Sequence, residues 1–406
     1  MSVDVVTFGC RLNVAESEVI RREAAVAGIA DAVVINTCGV TAEAERQARQ
    51  AVRRLRRERP HSRIIVTGCA AQINPRSFAT MPEVDRVLGN EEKLSAAHWA
   101  SLGAGGKIVV SDIMAATRAM PHRIDGIKGR VRAVLQVQNG CDHRCTFCII
   151  PFGRGNSRSV PMDEAVAQAR HLVEAGHSEL VLTGVDITSY RPSLGLLVQN
   201  ILSEIPELKR LRLSSIDSVE TDANLLDALA NDARLMPHLH LSLQAGDDII
   251  LKRMKRRHLR ADAIAFCEQV RRLRPDIAFG ADIIAGFPTE TDDMFSRSLD
   301  LIDECGLTQL HVFPFSPRPG TPAARMPQVA PDVMKDRARR LRGKGEAALR
   351  RHLDGEVGAR RSVLAEAGGV GRTEQFTPVR LAAAMTPGVI ANVMISGHDG
   401  RHLLAA

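Results

Sequence analysis

The sequence predicts an α/β protein in three parts. These are an N-terminal open parallel α/β sheet domain, a central partial (β/α)6 barrel, and a small C-terminal all-β module. Three observations predict this. Short apolar strands alternate with helical segments at the start, and each strand ends at a cysteine. A second alternation begins at Arg130, with strands that close on glycine or polar residues. After Pro331 a basic helix gives way to short strands punctuated by glycine.

The first strand covers Val3–Phe8 and stops at Gly9-Cys10. A helix is expected from about Asn13 to Ala27. Ala32–Ile35 is a second strand, ending at Asn36-Thr37-Cys38. Ala42–Glu58 reads as a helix stopped by Pro60, and Arg63–Thr67 as a third strand ending at Gly68-Cys69. Such alternation argues for a parallel sheet, with all carboxyl ends on one edge, the usual binding edge of an open sheet. From Gly103 to Gly129 the glycines and prolines mark a connection containing a strand-like Ile108–Val110.

Six further strands follow: Ala133–Val137, Leu180–Leu182, Leu211–Leu213, His238–Leu243, Phe279–Ile284 and Gln309–Phe313. Their polar closures suit a partial barrel with function at its carboxyl-terminal face. The last strands are Arg361–Ala365, Phe376–Leu381 and Val389–Ser396. The expected divisions are 1–122, 127–330, a basic helical linker at 331–354, and 355–406.

The chain has 406 residues, 45% hydrophobic and 25% charged, which accommodates two or three domains. No run is apolar enough to span a bilayer, and the N-terminus lacks a secretory pattern, so a cytoplasmic protein is expected. Eight cysteines in such a setting point to metal or catalysis rather than disulfides. Net charge is +7. The arginines gather in Glu45–Arg59 and Lys335–Arg361, which favours a polyanionic partner but also suits solvated helix faces. Aromatic residues are 3% of the chain, too few for widespread base stacking.

The most specific signal is Cys141-Asp-His-Arg-Cys145-Thr-Phe-Cys148. Three thiolates lie in one short loop directly after a strand. A cubane [4Fe–4S] cluster ordinarily takes four cysteines, so this loop leaves one iron open. A structural zinc site would want a fourth closely spaced ligand, and His143 is badly placed for it. Cys10, Cys38 and Cys69 are far apart in sequence yet share one topological position. They form a second candidate three-thiolate site, against the alternative of three buried core cysteines. Cys267 and Cys305 fall in helical segments and read as core residues.

Gly9-Cys10-Arg11-Leu12-Asn13, Asn36-Thr37-Cys38, Gly68-Cys69 and the Cys141 loop together resemble the radical S-adenosylmethionine (SAM) methylthiotransferases. The likeness continues through Pro151–Ser159, Asp282–Pro288 and Phe313–Thr321, and covers nearly the whole chain. The residues after Cys10 and Cys148 resemble the branch that modifies N6-threonylcarbamoyladenosine in tRNA. Sister branches act on isopentenyladenosine in tRNA or on an aspartate of a small-subunit ribosomal protein. A non-catalytic iron–sulfur RNA-binding redox sensor is the alternative from another class.

The resemblance implies two [4Fe–4S] clusters and SAM as cofactors. Cys141, Cys145 and Cys148 would hold the SAM cluster, and Cys10, Cys38 and Cys69 the auxiliary cluster. It implies insertion of a methylthio group at carbon 2 of the adenine beside the anticodon. An aromatic C–H bond is too strong for acid–base removal at neutral pH, so the chemistry falls to a radical cofactor. The implied partners are the tRNA anticodon stem-loop and an electron donor such as flavodoxin or ferredoxin, with the enzyme a monomer. The C-terminal module resembles the RNA-binding TRAM domain. For SAM, the candidates are Gly184, Asp186, Ser214, Ser215 and Gln244, all at strand ends. Asp282, inside an apolar run, is a candidate catalytic residue because an unpaired buried carboxylate is costly. Arg154, Arg158, Arg360, Arg361, Arg372 and Arg380 are candidate RNA contacts. His238 and His240 read as barrel packing.

Overall fold

The structure, a computed structural model, describes residues 3–103 and 105–406. The N-terminal domain is a five-stranded, all-parallel sheet in the order β1 (Asp4–Thr7), β2 (Ala32–Thr37), β3 (Arg63–Gly68), β4 (Arg86–Leu88) and β5 (Ile108–Val109). Helix α1 (Arg11–Val26) follows β1, and α2 (Ala42–Glu58) follows β2. Thr41 caps α2 by accepting a hydrogen bond from Ala44 N at 3.1 Å. Ala48, Ala51, Val52 and Leu55 recur at helical spacing, so α2 buries one face and leaves its arginines outside. Most of those arginines have local acidic partners: Arg46 with Glu43, Arg49 with Glu45, Arg54 with Glu58 and Arg56 with Asp85. The solvated-face reading therefore accounts for much of this basic run.

The strand-like Ile108–Val110 joins the sheet as β5, and the sheet gains one strand that the sequence does not suggest, β4, only three residues long. Segments this short carry no alternation to read. The glycine-rich connection is also packed: Ile113, Ala119, Ile124 and Ile127 are buried.

The central unit begins with β6 (Arg132–Gln136). A small antiparallel pair, β7 (Gln138–Asn139) and β8 (Arg158–Ser159), brackets the cysteine loop. The wall continues through β9 (Glu179–Thr183), β10 (Arg210–Leu213), β11 (His238–Gln244), β12 (Ala278–Ala285) and β13 (Leu307–Pro314). All six predicted strands are present, as two parallel three-stranded sheets that adjoin through bridges Leu211–Leu235 and Ile216–Leu241. β6 and β13 do not pair, so the barrel is open along one side. Cys267 and Cys305 are fully buried in its core, as expected of packing cysteines.

Helix Pro331–Glu356 is more than a linker. Ala338, Leu341 and Ala348 join the barrel core. Arg337 forms a buried pair with Glu290 at 3.0 Å, and Lys344 and Arg351 pair with Asp303. A Cβ on Gly345 would lie 2.9 Å from Leu310 Cβ, so this glycine lets the helix approach β13 closely. Strands β14 (Arg360–Glu366), β15 (Val370–Arg372), β16 (Pro378–Arg380), β17 (Ile390–His398) and β18 (Leu403–Ala405) then close a small barrel around Val363, Val379, Ile395 and Leu403.

The loop between β7 and β8 depends on Gly140, whose φ is +75°. A Cβ there would lie 1.8 Å from the carbonyl oxygen of Asn156, a backbone atom that cannot move alone. Gly140→Ala is therefore expected to cost about 1–3 kcal/mol and to displace Cys141. A lowered urea midpoint together with loss of iron at the Cys141 loop checks this.

Candidate active site where three domains meet

Gln138 ties the Cys141 loop to the barrel. Its side-chain oxygen accepts from Val185 N at 3.1 Å and Asp186 N at 2.8 Å, while its amide donates to Gly140 O at 2.7 Å. Cys141 N donates to Gly155 O, and Thr146 is held by the backbone of Arg253 and Met254. The loop thus sits at the carboxyl ends of the strands, beside a cavity of about 180 Å³ lined by all three of its cysteines.

That cavity also takes Asp186, Ser215, Ser242, Gln244 and Arg256. Three candidate SAM residues, Asp186, Ser215 and Gln244, therefore face the cysteine loop. Gly184 and Ser214 do not line it. Gly184 instead lies against Gln138, where a Cβ would come within 2.7 Å of its carbonyl oxygen.

Burial pushes the Cys148 thiol up to about 11, and burial with the Asp186 charge pushes Cys141 up as well. Cys145 meets the same burial, but a hydrogen bond with His143 and the charge of Arg256 outweigh it and lower its pKa. Arg256 is fixed by Asp217 at 2.5 Å and by Ser242 O at 2.7 Å. Nothing near Arg256 or Asp217 in sequence marks them, because they join only in the folded barrel.

The second cysteine set also converges. Cys10 caps α1, Cys38 follows β2, and Cys69 opens the short helix α3 (Cys69–Ile73). Gly9 has φ +95°, and a Cβ on it would lie 2.8 Å from Cys38 Sγ. Burial raises the Cys38 thiol to about 11, with Cys69 and Cys10 adding to the shift. Among the described residues, no group of three ligands close enough for one ion, within 4.8 Å, contains a cysteine. Among the described residues, neither cysteine triad therefore brings its three sulfurs close enough to share one ion.

Arg154 and Arg158 are not on an RNA-facing surface. Arg154 ends α4 (Ile150–Arg154), is 2% exposed, and reaches into the N-terminal domain. Its Nε donates to Cys69 Sγ at 3.0 Å, and its Nη2 donates to Asn13 at 2.5 Å and Glu16 at 2.9 Å. Lys93 completes the cluster, 2.6 Å from Glu16. Arg158 is also buried and pairs with Glu91 at 3.3 Å. The polar stretch containing both arginines looks surface-like in one dimension. Their acidic partners come from a domain far earlier in the chain.

Asp282 faces the barrel bore, bonded to His240 at 2.8 Å and His311 at 3.3 Å. Burial opposes its charge, but the two imidazoles lower its pKa to about 2. His240 is therefore a partner in a polar bore rather than packing. His238 stacks on Phe376 of the C-terminal barrel, with ring centroids 5.3 Å apart. Strand β11 thus carries His238, His240, Ser242 and Gln244 in one inward column, ending in the cavity beside the cysteine loop.

A second cavity, of about 590 Å³, fills the open side of the barrel. Cys10 and Arg11 come from the N-terminal domain, Arg132 and His311 from the unpaired edges β6 and β13, and Arg372 and Phe376 from the C-terminal barrel. Arg372 therefore faces this interior. Arg361 is held by Glu356, Arg380 pairs with Asp399 at 3.0 Å on the surface, and Arg360 is exposed.

Glu16 generates a prediction. Burial opposes its charge, but Arg154 and Lys93 hold its pKa at about 2. A folded-state pKa below the unfolded one stabilises the protein above the unfolded value, and this is lost as pH falls through the folded value. The difference in urea midpoint between the parent and Glu16→Gln is therefore expected to be constant above about pH 4.5 and to shrink toward pH 2. At neutral pH the loss should approach about 3–5 kcal/mol, as for one partner removed from a buried pair.

Comparison with known proteins gives these sites a family. The model for the Radical SAM superfamily matches residues 135–302, and that for Uncharacterized protein family UPF0004 matches residues 2–89. The threonylcarbamoyladenosine tRNA methylthiotransferase MtaB of Rickettsia prowazekii is 49% identical over 97% of this chain and 94% of its own length. The protein of the same name from Thermotoga maritima is 35% identical over 90% and 86%. A tRNA-2-methylthio-N(6)-dimethylallyladenosine synthase of Sorangium cellulosum is 34% identical over 99% and 86%. Among solved structures, the radical S-adenosylmethionine methyltransferase TsrM from Kitasatospora setae shares the fold. Its TM-score is 0.59 at 14% identity, over 79% of this chain and 76% of that one. A [4Fe–4S] cluster and SAM come with the superfamily. The three-thiolate loop after β7, the cysteine-edged N-terminal sheet and the identity along almost the entire length lead to one conclusion: this chain belongs to the radical SAM methylthiotransferases.

Proposed function

We propose that this chain inserts a methylthio group at carbon 2 of N6-threonylcarbamoyladenosine next to the tRNA anticodon. The observation that carries this is the large cavity on the open side of the barrel. It has a candidate auxiliary-cluster ligand, Cys10, in one wall and the barrel bore in another. Its identity with the Rickettsia prowazekii enzyme supports the same substrate.

Cys141, Cys145 and Cys148 would hold the SAM cluster, and Cys10, Cys38 and Cys69 the auxiliary one. When bound, the first would supply the electron that cleaves one SAM to the adenosyl radical that takes the carbon 2 hydrogen, and the second would supply the sulfur, its methyl carbon coming from another SAM. The protein's own part is placement. Asp186, 3.6 Å from Cys141 Sγ, suits the ammonium group of SAM. Arg256 suits its carboxylate, and Ser215 and Gln244 its ribose. Asp282, fixed by His240 and His311, would orient the adenine in the bore between the two cavities. Arg360 and Arg380, exposed on the C-terminal barrel, would meet RNA phosphates. The enzyme would work as a monomer, reduced by a flavodoxin- or ferredoxin-type donor.

Mass spectrometry of tRNA nucleosides from a strain lacking the gene tests this. The 2-methylthio form of threonylcarbamoyladenosine should vanish and return on complementation. Loss of the isopentenyl counterpart instead would contradict the substrate, and no change in either would contradict tRNA as the target.

A further inference from the structure

The large cavity carries far more positive than negative charge. Arg11, Arg130, Arg132 and Arg372 line it, against the single carboxylate of Glu366. Arg132 pairs with Glu366, and Arg372 comes within 3.7 Å of the same carboxylate. Behind the wall, Glu179 is shared among Arg132, Arg210 and Arg212. Every carboxylate here already serves two or more guanidinium groups. Neither Arg11 nor Arg130 forms an ion pair among the described residues, and the Glu179 charge that reaches Arg11 is already shared by three other arginines.

The guanidinium groups also crowd one ring. Arg11, Arg132, Arg212 and Arg372 stand 5.6, 5.1, 4.8 and 4.4 Å from the centroid of Phe376. Phe376 adopts φ +67°, left-handed backbone that costs free energy in a residue with a Cβ, and sits among cations from all three domains. Cation–π contacts offset only part of the mutual repulsion of four like charges. A bound anion would relieve it.

We propose that Arg11, with Arg130 beside it, binds the carboxylate of the threonylcarbamoyl arm and so selects this substrate over an uncharged one. This rests on the function proposed above. Threonine joined to N6 by a carbonyl on its amino group keeps its carboxylate free. Carbon 2 and the N6-bearing carbon flank the same ring nitrogen of adenine, so both lie on one edge of the base. Arg11 directly follows Cys10 in the cavity wall. A base presenting carbon 2 toward the Cys10 site therefore carries its N6 arm along the arginine-lined wall. A guanidinium fork matches a carboxylate in charge and geometry. Arg11 and Arg130 are exposed in the free protein, so an isopentenyl arm would cover them without offering a charge to pair with, which is how such a site rejects the wrong partner.

The test compares three anticodon stem-loop RNAs, measuring their binding to the cluster-loaded protein by fluorescence anisotropy and their methylthiolation by mass spectrometry. One carries threonylcarbamoyladenosine, one its methyl ester, and one plain adenosine. The parent protein should prefer the acid over the ester by about tenfold or more. Arg11→Gln should bring that preference close to one while changing affinity for the adenosine RNA by less than about threefold, and Arg11→Lys should restore part of it. Arg130→Gln should act in the same direction, so the assignment does not depend on one variant folding. Equal weakening toward all three RNAs would show that Arg11 meets a backbone phosphate, and would overturn the proposal. So would a parent protein that binds acid and ester alike. If the parent prefers and modifies the acid RNA while Arg11→Gln keeps the full preference, this inference fails and the proposed reaction stands. If the parent modifies none of the three, the reaction itself fails, and the inference with it.

Discussion

The arrangement of this molecule depends on one buried charge. Arg154 leaves the segment that follows the Cys141 loop, crosses into the N-terminal domain, and ends between Glu16 and Cys69. A fully buried guanidinium is tolerated only when it is paired and hydrogen-bonded. That requirement fixes where α1, the end of β3 and the cysteine loop lie relative to one another. Burial opposes its charge, yet the Cys69 sulfur and Glu16 hold its pKa well above the ordinary value. Cys148 and Arg154 are joined by a short, largely helical stretch containing Pro151, so the two cysteine sets are connected through little slack.

The same logic joins the third domain. Arg210 donates to Ser362 O and Oγ, both at 2.8 Å, and Arg212 donates to Glu374 O at 2.9 Å. Both arginines come from β10, where a barrel strand would ordinarily carry apolar side chains inward. A polar bore is costly alone, but here it supplies the donors that seat the C-terminal barrel over the open side. The C-terminal barrel thus forms part of the cavity wall, beyond any contact with RNA on its outer surface.

Much of this was legible in the sequence, for identifiable reasons. The strands ending at Cys10, Cys38 and Cys69 were readable because apolar runs and their glycine stops are local signals, and parallel topology then places their ends together. The Cys141 loop was readable from spacing alone. Arg154 and Arg158 read as RNA contacts in the sequence, whereas the structure buries them against Glu16 and Glu91, partners far away in the chain. Nothing in a polar segment says whether it will be covered. Glu16 and Lys93 look like ordinary helix-surface charges until the two domains close over them. Arg256 and Asp217, and the gathering of arginines around Phe376, likewise exist only through long-range packing.

This buried brace sets a fixed separation between the two proposed clusters. Pulsed electron paramagnetic resonance on the fully loaded, reduced protein measures that separation through the magnetic coupling of the clusters. One narrow distance distribution is expected in the parent protein, broadened or lengthened when Glu16→Gln weakens the brace. A broad distribution in the parent, or an identical narrow one in both proteins, would contradict it.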